Sequence, residues 1–137
     1  MKNLHRQFGW RWAEELKCEE GVYVRRWVLE TPIGSIRLHH WLRSDDARSH
    51  HDHSWSFVSF IFRGGYSDIT PESETRHRAP SVVYRSAEHK HWVRVEPGGC
   101  WSFLITGPKT RRWGFWLKDK FIVSYRYFYA FGKHICE

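Results

Sequence analysis

A chain of 137 residues with a formal net charge of +7, 18% aromatic residues, nine tryptophans and ten histidines can bury a core but is too short for two ordinary domains. The positive balance favours anionic partners over cationic ones. Cys18, Cys100 and Cys136 are odd in number and lack CxxC spacing, which points away from a disulfide framework or zinc knuckle, and no window is apolar enough to cross a bilayer, so a reducing cytoplasm is the expected location.

In chain order, residues 6 to 17 place Phe8, Trp12 and Leu16 at i, i+4 and i+8, which predicts a short N-terminal helix despite Gly9. From residue 21 onward the pattern is β. The segments "GVYVRRWVLE", "SIRLHHWL", "WSFVSFIFR", "GYSDIT", "SVVYR", "HWVRVE", "CWSFLIT" and "RWGFWLK" are rich in Val, Ile and aromatics. They are separated by "TPIG", "SDDARS", "GG", "SAEHK", "EPGG" and "TGPKT", which read as turns. Short strands with no room for crossover helices predict an all-β fold, an antiparallel sandwich or barrel. The tail "FIVSYRYFYAFGKHICE" fits a helix by its aromatics at 125, 128 and 129, and a strand by its β-branched start. No repeat, low-complexity tract or linker interrupts the chain. Residues 1–137 therefore read as one domain, with a core over about 21–118 and terminal extensions packing on it.

The stretch "SHHDHSWSF" (49–57) carries the clearest chemistry. On a strand, residues i and i+2 face the same side roughly 6 to 7 Å apart, so His51 and His53 can converge on one ion at about 2.1 Å each while Asp52 points away. Two imidazoles leave most of a coordination shell open, so a third donor is needed. "EHKHW" offers His89 and His91, again two apart. A single H-x-H pair is more often a solvated face, but two in one small β domain favour a metal site.

These residues resemble the cupin superfamily, the RmlC-like jelly roll, over about Ser35 to Trp116. "HHDHSWSFVSFIFRGG" is similar to the first cupin motif, with His51 and His53 in ligand positions and Gly64 or Gly65 closing it, and "APSVVYRSAEHKHWVRV" to the second, with His91 as its lone histidine. "FVS", "RGGY", "SVVYR", "AEHKH" and "TGPKTRRWGF" further resemble a group of small single-domain bacterial and phage cupins. The resemblance implies a double-stranded β-helix and a metal held by His51, His53 and His91. Two positions depart from the pattern. Phe57 or Val58 stands where a glutamate ligand is usual, and Ser86 and Glu88 stand where Pro and Gly are common. The implied ligand set is thus three histidines without the glutamate, as in cupin thiol dioxygenases. Such a set leaves up to three adjacent positions for substrate and dioxygen.

Around this set, His40, His89 and Glu88 are candidates for an additional ligand or for a group that orients one. His39 and His40 face opposite ways on their strand, so at most one faces the interior. Tyr84, Arg85, Arg37, Arg63 and Trp55 are candidate substrate contacts, a phenol or guanidinium being suited to a bound oxygen or carboxylate. Trp92 and Trp101 join Trp55 as core or pocket-lining residues, Asp45 and Asp46 read as turn residues that bond their own backbone, and "GPKTRRWGF" reads as a solvated hairpin. The leading expectation is a small-molecule metalloenzyme of the three-histidine Fe(II) oxygenase type acting on an anionic substrate. Zn, Mn, Ni and Cu also suit imidazole. The alternatives are a redox-free isomerase or lyase and a non-catalytic ligand-binding barrel, with a homodimer compatible with each. Basic residues interleaved with aromatics, as in "RRW" and "RYFYAF", suit single-stranded nucleic acid, but that reading leaves both H-x-H pairs unexplained, and neither nucleic acid nor membrane is an expected partner.

Overall fold

The computed structural model describes residues 9–18, 20–45 and 48–132. The predicted β pattern resolves into two antiparallel sheets. β1 (Gly9–Cys18), β2 (Gly21–Thr31), β3 (Gly34–Trp41), β5 (Phe57–Ile69), β6 (Glu74–Arg78), β7 (Ser81–Arg85) and β8 (Trp92–Thr106) form the larger one, in the order β1-β2-β3-β8-β5-β6 with β7 also on β5. β4 (His50–His51), β9 (Gly114–Leu117) and β10 (Lys120–Val123) form the smaller, in the order β10-β9-β4. This is an all-β jelly roll.

Two of the expected turns are bends inside long strands. β5 and β8 each fuse two predicted segments and pair along most of their length, with register shifts at Ile61/Arg63 and Gly64/Tyr66. Glycine permits this: Gly64 (φ 72°) faces Gly98 (φ 93°) and Gly99 (φ 85°), all in the left-handed region, so both strands bend at one place. The backbones approach so closely there that a Cβ on Gly64 would overlap the Gly99 carbonyl oxygen.

The N-terminal helix is not formed over the described part of its range. Residues 9–18 are β1, an edge strand on β2, and residues 6–8 lie outside those described. Pairing gives the acidic residues partners that a helix would not: Arg26 Nε donates to Glu14 at 2.8 Å and Arg25 Nε to Glu15 at 3.2 Å. The ambiguous tail takes both forms in succession, β10 and then α1 (Ser124–Phe131), whose buried Tyr127 stacks on Phe115 at 3.9 Å. Among the described residues no helix is long and apolar enough to cross a membrane. Cys100 is free and buried, its thiol pushed up to about 12 by burial and the Glu96 charge. Cys18, by contrast, is disulfide-bonded, so the cysteines do not argue for a reducing compartment.

Alternation sorts the barrel wall. Val24 and Val28 of β2, Phe57 and Ile61 of β5, Val83 of β7 and Leu104 of β8 point inward and are buried. Polar residues share that interior. Ser35 and Thr106 exchange a 2.6 Å hydrogen bond, and Arg37, 5% exposed, donates to Ser35 at 2.9 Å and to Glu30 at 2.7 Å. His39 is buried, and burial, reinforced by the Arg26 and Arg37 guanidiniums, lowers its pKa to about 3.

Two outcomes follow from this packing. Gly64→Ala should lower stability by upwards of about 2 kcal/mol, combining left-handed strain with a backbone clash, whereas Gly98→Ala, with open space around it, should cost only about 1 kcal/mol from conformation. Equal urea midpoints for the two variants would refute the close approach. His39 titrates near 6.5 when unfolded and near 3 when folded, so the unfolded chain binds the extra proton and stability falls as pH drops from 6.5 towards 3, by roughly 1.4 kcal/mol per pH unit. His39→Gln should flatten that limb of a stability against pH curve; an unchanged slope would place the acid sensitivity elsewhere.

Candidate metal centre

β4 is two residues long, and its attachment to the start of β8 assembles the site. His51 N donates to His91 O at 2.7 Å and His91 N returns the bond to His51 O at 2.9 Å, an isolated antiparallel bridge that sets the two imidazole centroids 4.9 Å apart. His53 follows in a loop whose course is fixed by His53 N donating to Ala87 O at 2.9 Å and Ala87 N to Ser56 Oγ at 3.1 Å. Its ring lies 5.3 Å from that of His51 and 4.9 Å from that of His91. One ligating atom from each of the three histidines falls within 4.8 Å of the others. Asp52, between the first two, points the other way. It is buried and accepts from Gly114 N at 2.8 Å, Trp116 Nε1 at 2.9 Å and Arg111 Nη1, so the basic "GPKTRRWGF" run is partly tied to the barrel.

The donor set fits a transition-metal ion. His53 Nε2 and His91 Nε2 face each other at 3.2 Å. Two ligands at about 2.1 Å from one ion, subtending about 90° to 109°, stand roughly 3.0 to 3.4 Å apart. Burial, followed by the charges of His91 and His89, holds the His53 pKa well below its ordinary value, and burial also lowers that of His91. Both rings are therefore neutral near pH 7, the form that ligates. His53 Nδ1 is buried without a hydrogen-bond partner among the described residues.

Behind His91 stands a carboxylate that sequence reasoning did not single out. Asp68 Oδ1 lies 3.1 Å from His91 Nδ1 and 3.0 Å from His89 Nε2, and Arg85 Nε donates to Asp68 Oδ2 at 2.9 Å. Burial raises the carboxyl pKa, but the bonds to His89, His91 and Arg85 outweigh it and keep Asp68 ionised. An ionised Asp68 beside Nδ1 favours the His91 tautomer that presents Nε2 towards His53. On the other flank, buried Asp45 is held to β8 by Val93 N donating to its Oδ1 at 2.8 Å, and its Oδ2 lies 3.7 Å from His51 Nε2. Asp45 therefore also reaches across to another strand. The side chain of Asp46 lies outside the described residues.

The triad sits between two connected spaces. An inner cavity of about 150 Å³ is lined by His39, Tyr66, Ser59 and Ser102 as well as by the three histidines. An outer cavity of about 530 Å³ opens over His51 and His53 and is lined by Lys17, Arg26, Arg37, Lys109, Glu30 and Trp55, among others. The Arg37 guanidinium lies over the Trp55 ring at 4.8 Å.

The other candidates are placed as follows. Arg37 and Trp55 line the outer cavity, and His89 reaches Asp68. Arg85 points inward but ends on Asp68 and, at 3.2 Å, on His77, and it lines neither cavity. His40, Arg63 and Tyr84 occupy outward positions: His40 stacks on Trp101 at 4.0 Å, Arg63 is exposed and Tyr84 is 63% exposed. Trp101 accordingly lies on the outer face, stacked also on Trp27, and Glu88 is exposed. Of the two histidines on β3, His39 faces the interior. Asp68, Asp45, Arg26, Lys17 and Lys109 are the site-facing residues that the sequence reading missed. Only Asp68 left a trace in the sequence, as a charge inside an otherwise strand-like segment.

No protein-family model matches the sequence, and no curated protein matches it. Among solved structures, an RmlC-like cupin protein from Ralstonia eutropha superposes with a TM-score of 0.60 at 17% identity, over 90% of this chain and 84% of that one. The polyketide cyclase RemF from Streptomyces resistomycificus gives 0.58 at 15% identity, over 93% and 92%. The Fe(II) form of HppE gives 0.58 at 9% identity, over 76% of this chain and 62% of that one, so this chain spans less than two thirds of that protein. At these identities the likeness is one of fold, and that fold is the cupin jelly roll.

Proposed function

We propose that this cupin-fold protein is a metalloenzyme in which His51, His53 and His91 hold one divalent transition-metal ion, with Fe(II) favoured, and in which a small anionic substrate enters through the outer cavity. The observation that carries this reading is the convergence of three imidazole donors, two of which, His51 and His53, also line an open cavity. Three neutral ligands would leave an ion with uncompensated charge and free positions, which supplies Lewis-acid or dioxygen chemistry to a bound substrate. The chain's own residues do the rest. Lys17, Arg26, Arg37 and Lys109 line the outer cavity, where Arg26 is paired with Glu14 and Arg37 with Glu30, so the balance of charge on its walls is positive and attracts anions. Trp55 and Trp113 give it apolar walls that exclude water from the substrate's far end. Asp68 orients His91.

A closed structural ion is the competing reading, and it needs a fourth donor. The candidates for that role point elsewhere, His40 to Trp101 and His89 to Asp68. An open site therefore has the better support.

Elemental analysis of protein purified without chelator or affinity metal is the direct test. Near-stoichiometric metal is expected in the wild type and in His40→Ala, and at least a tenfold loss in His53→Ala and His91→Ala with far-UV circular dichroism preserved. Retention of the full complement in His53→Ala would sink the assignment. With iron present, screening small carboxylates and thiols for oxygen uptake separates oxygenase from redox-free chemistry.

Asp68→Asn removes the charge while keeping the shape. It should weaken metal affinity by about 10- to 100-fold in a chelator competition, whereas Glu88→Gln, at an exposed position, should leave it unchanged. Equal affinities for all three proteins would mean that Asp68 serves the fold and not the ligand.

A further inference from the structure

The inner cavity collects polar groups that the fold leaves without partners. His39, Ser59, Tyr66 and Ser102 line it, and their exposures of 8%, 3%, 8% and 2% make each more than nine-tenths buried. Among the described residues none of these four side chains makes a hydrogen bond, and His39 Nε2 is buried without a partner. Buried hydroxyls and imidazoles are ordinarily bonded, and one that finds no partner in the protein finds it in water or in a ligand. Elsewhere the fold keeps that rule: Ser35 bonds Thr106 and Arg37, and Ser49 bonds Tyr127.

Strand register groups three of the four. His39 on β3 is the direct cross-strand partner of Ser102 on β8, and Ser59 on β5 faces Leu104, one inward position further along β8. Direct partners have Cβ atoms about 5 Å apart and diagonal ones about 7 Å, so an imidazole and two hydroxyls can reach one bound group. Volume and charge define what fits. The cavity's 150 Å³ or so is room for roughly five waters at about 30 Å³ each, or for a short chain of similar bulk. Its charged lining residues, Arg26 and Asp45, are opposite in sign, and Arg26 is bonded to Glu14 at 2.8 Å. Burial and the Arg26 and Arg37 guanidiniums hold His39 neutral. The inner wall is therefore balanced in charge where the outer one is positive.

We propose that His39, Ser59 and Ser102 are specificity-determining residues that select the uncharged, hydroxyl-bearing end of a small carboxylate whose anionic end stays in the outer cavity. The substrate class is then a short hydroxy acid with its hydroxyl remote from the carboxylate. A neutral imidazole and a serine hydroxyl can each donate and accept, so together they match an alcohol. A methyl group of the same size would leave them unpaired, and such a site discriminates strongly against it. The placing of the anionic end rests on the proposed function, whereas the selection of a hydroxyl by the inner wall does not require the ion.

Calorimetric titration of the full chain, loaded with zinc and separately stripped by chelator, tests this. The probes are γ-hydroxybutyrate and δ-hydroxyvalerate, each against the acid that carries a methyl group in place of its hydroxyl, valerate and hexanoate. The wild type is expected to bind at least one hydroxy acid about tenfold or more tighter than its methyl counterpart. In Ser59→Ala/Ser102→Ala that ratio should fall to within about twofold, with affinity for the methyl acid unchanged or raised. The urea midpoint of this variant should be no lower than that of the wild type, because neither hydroxyl bonds the protein; a serine pair that served only the fold would lower it. His39→Phe, which keeps the shape of a ring, should reduce the ratio too and replaces the double variant if that loses its fold. Equal affinities in the wild type, no binding of any of the four acids, or a ratio that the folded variants leave unchanged would overturn the inference and leave the cavity to water. A ratio that survives chelation sustains it even where the metal assignment fails, whereas zinc retained without any such ratio sustains the metal assignment alone.

Discussion

The site rests on two backbone hydrogen bonds. The reciprocal pair between His51 and His91 is the only β-bridge outside the named strands among the described residues, and it ties the smaller sheet to the entrance of β8. Without it, His51 would belong to a two-residue strand held only by β9, and nothing would fix its ring against that of His91. The loop that carries His53 is in turn anchored to Ala87, close to the same end of β8. Imidazoles from two distant parts of the sequence thus meet because main-chain groups, which must find partners when buried, find them in one another. The bonds that assemble the site are thus main-chain bonds, which an exchange of histidine for alanine would leave in place.

How legible the molecule was in its sequence depends on the range of the physics involved. The strands from 21 to 117 were visible because alternation and β-branched composition are local. The bends were misread as turns because glycine pairs signal positive φ without saying whether the chain reverses or merely kinks, and only the meeting of Gly64 with Gly99 decides that. β1 was misread because Phe8, Trp12 and Leu16 mimic a helical stripe, while the partners that make it a strand, Arg25 and Arg26, lie across a turn on β2. In the same way, the H-x-H pairs announced themselves by spacing, whereas Asp68 and Asp45 are tied to the histidines only through tertiary approach. Candidates drawn from sequence proximity to the motifs, such as Glu88 and Tyr84, turned out to face solvent, since proximity along a strand says nothing about which side a residue faces.

The inward face of β3 is polar, with Ser35, Arg37 and His39 buried, while β5 and β8 alternate apolar Phe57, Ile61 and Leu104 with Ser59, Ser102 and Thr106. Inside, the polar groups are offset by one another: Arg37 is neutralised by Glu30 and bonded to Ser35, which bonds Thr106. Such a network costs desolvation without adding much net stability, so stability comes from the apolar cluster of Ile61, Tyr66, Val83, Val93 and Cys100 packed in the same interior.

Charge is arranged with the same economy. His53 and His91 are neutral, and Phe57 or Val58 stands where the first cupin motif usually supplies a glutamate. The negative charge is set one layer back instead, with Asp68 behind His91 and Asp45 behind His51. At that remove, Asp68 raises the basicity of His91 and favours one tautomer without occupying a coordination position. An ion held there would keep much of its positive field directed towards the outer cavity, where Lys17, Arg26 and Lys109 add to it. On the proposed reading, that combined field would favour a small anion over a neutral molecule of the same size.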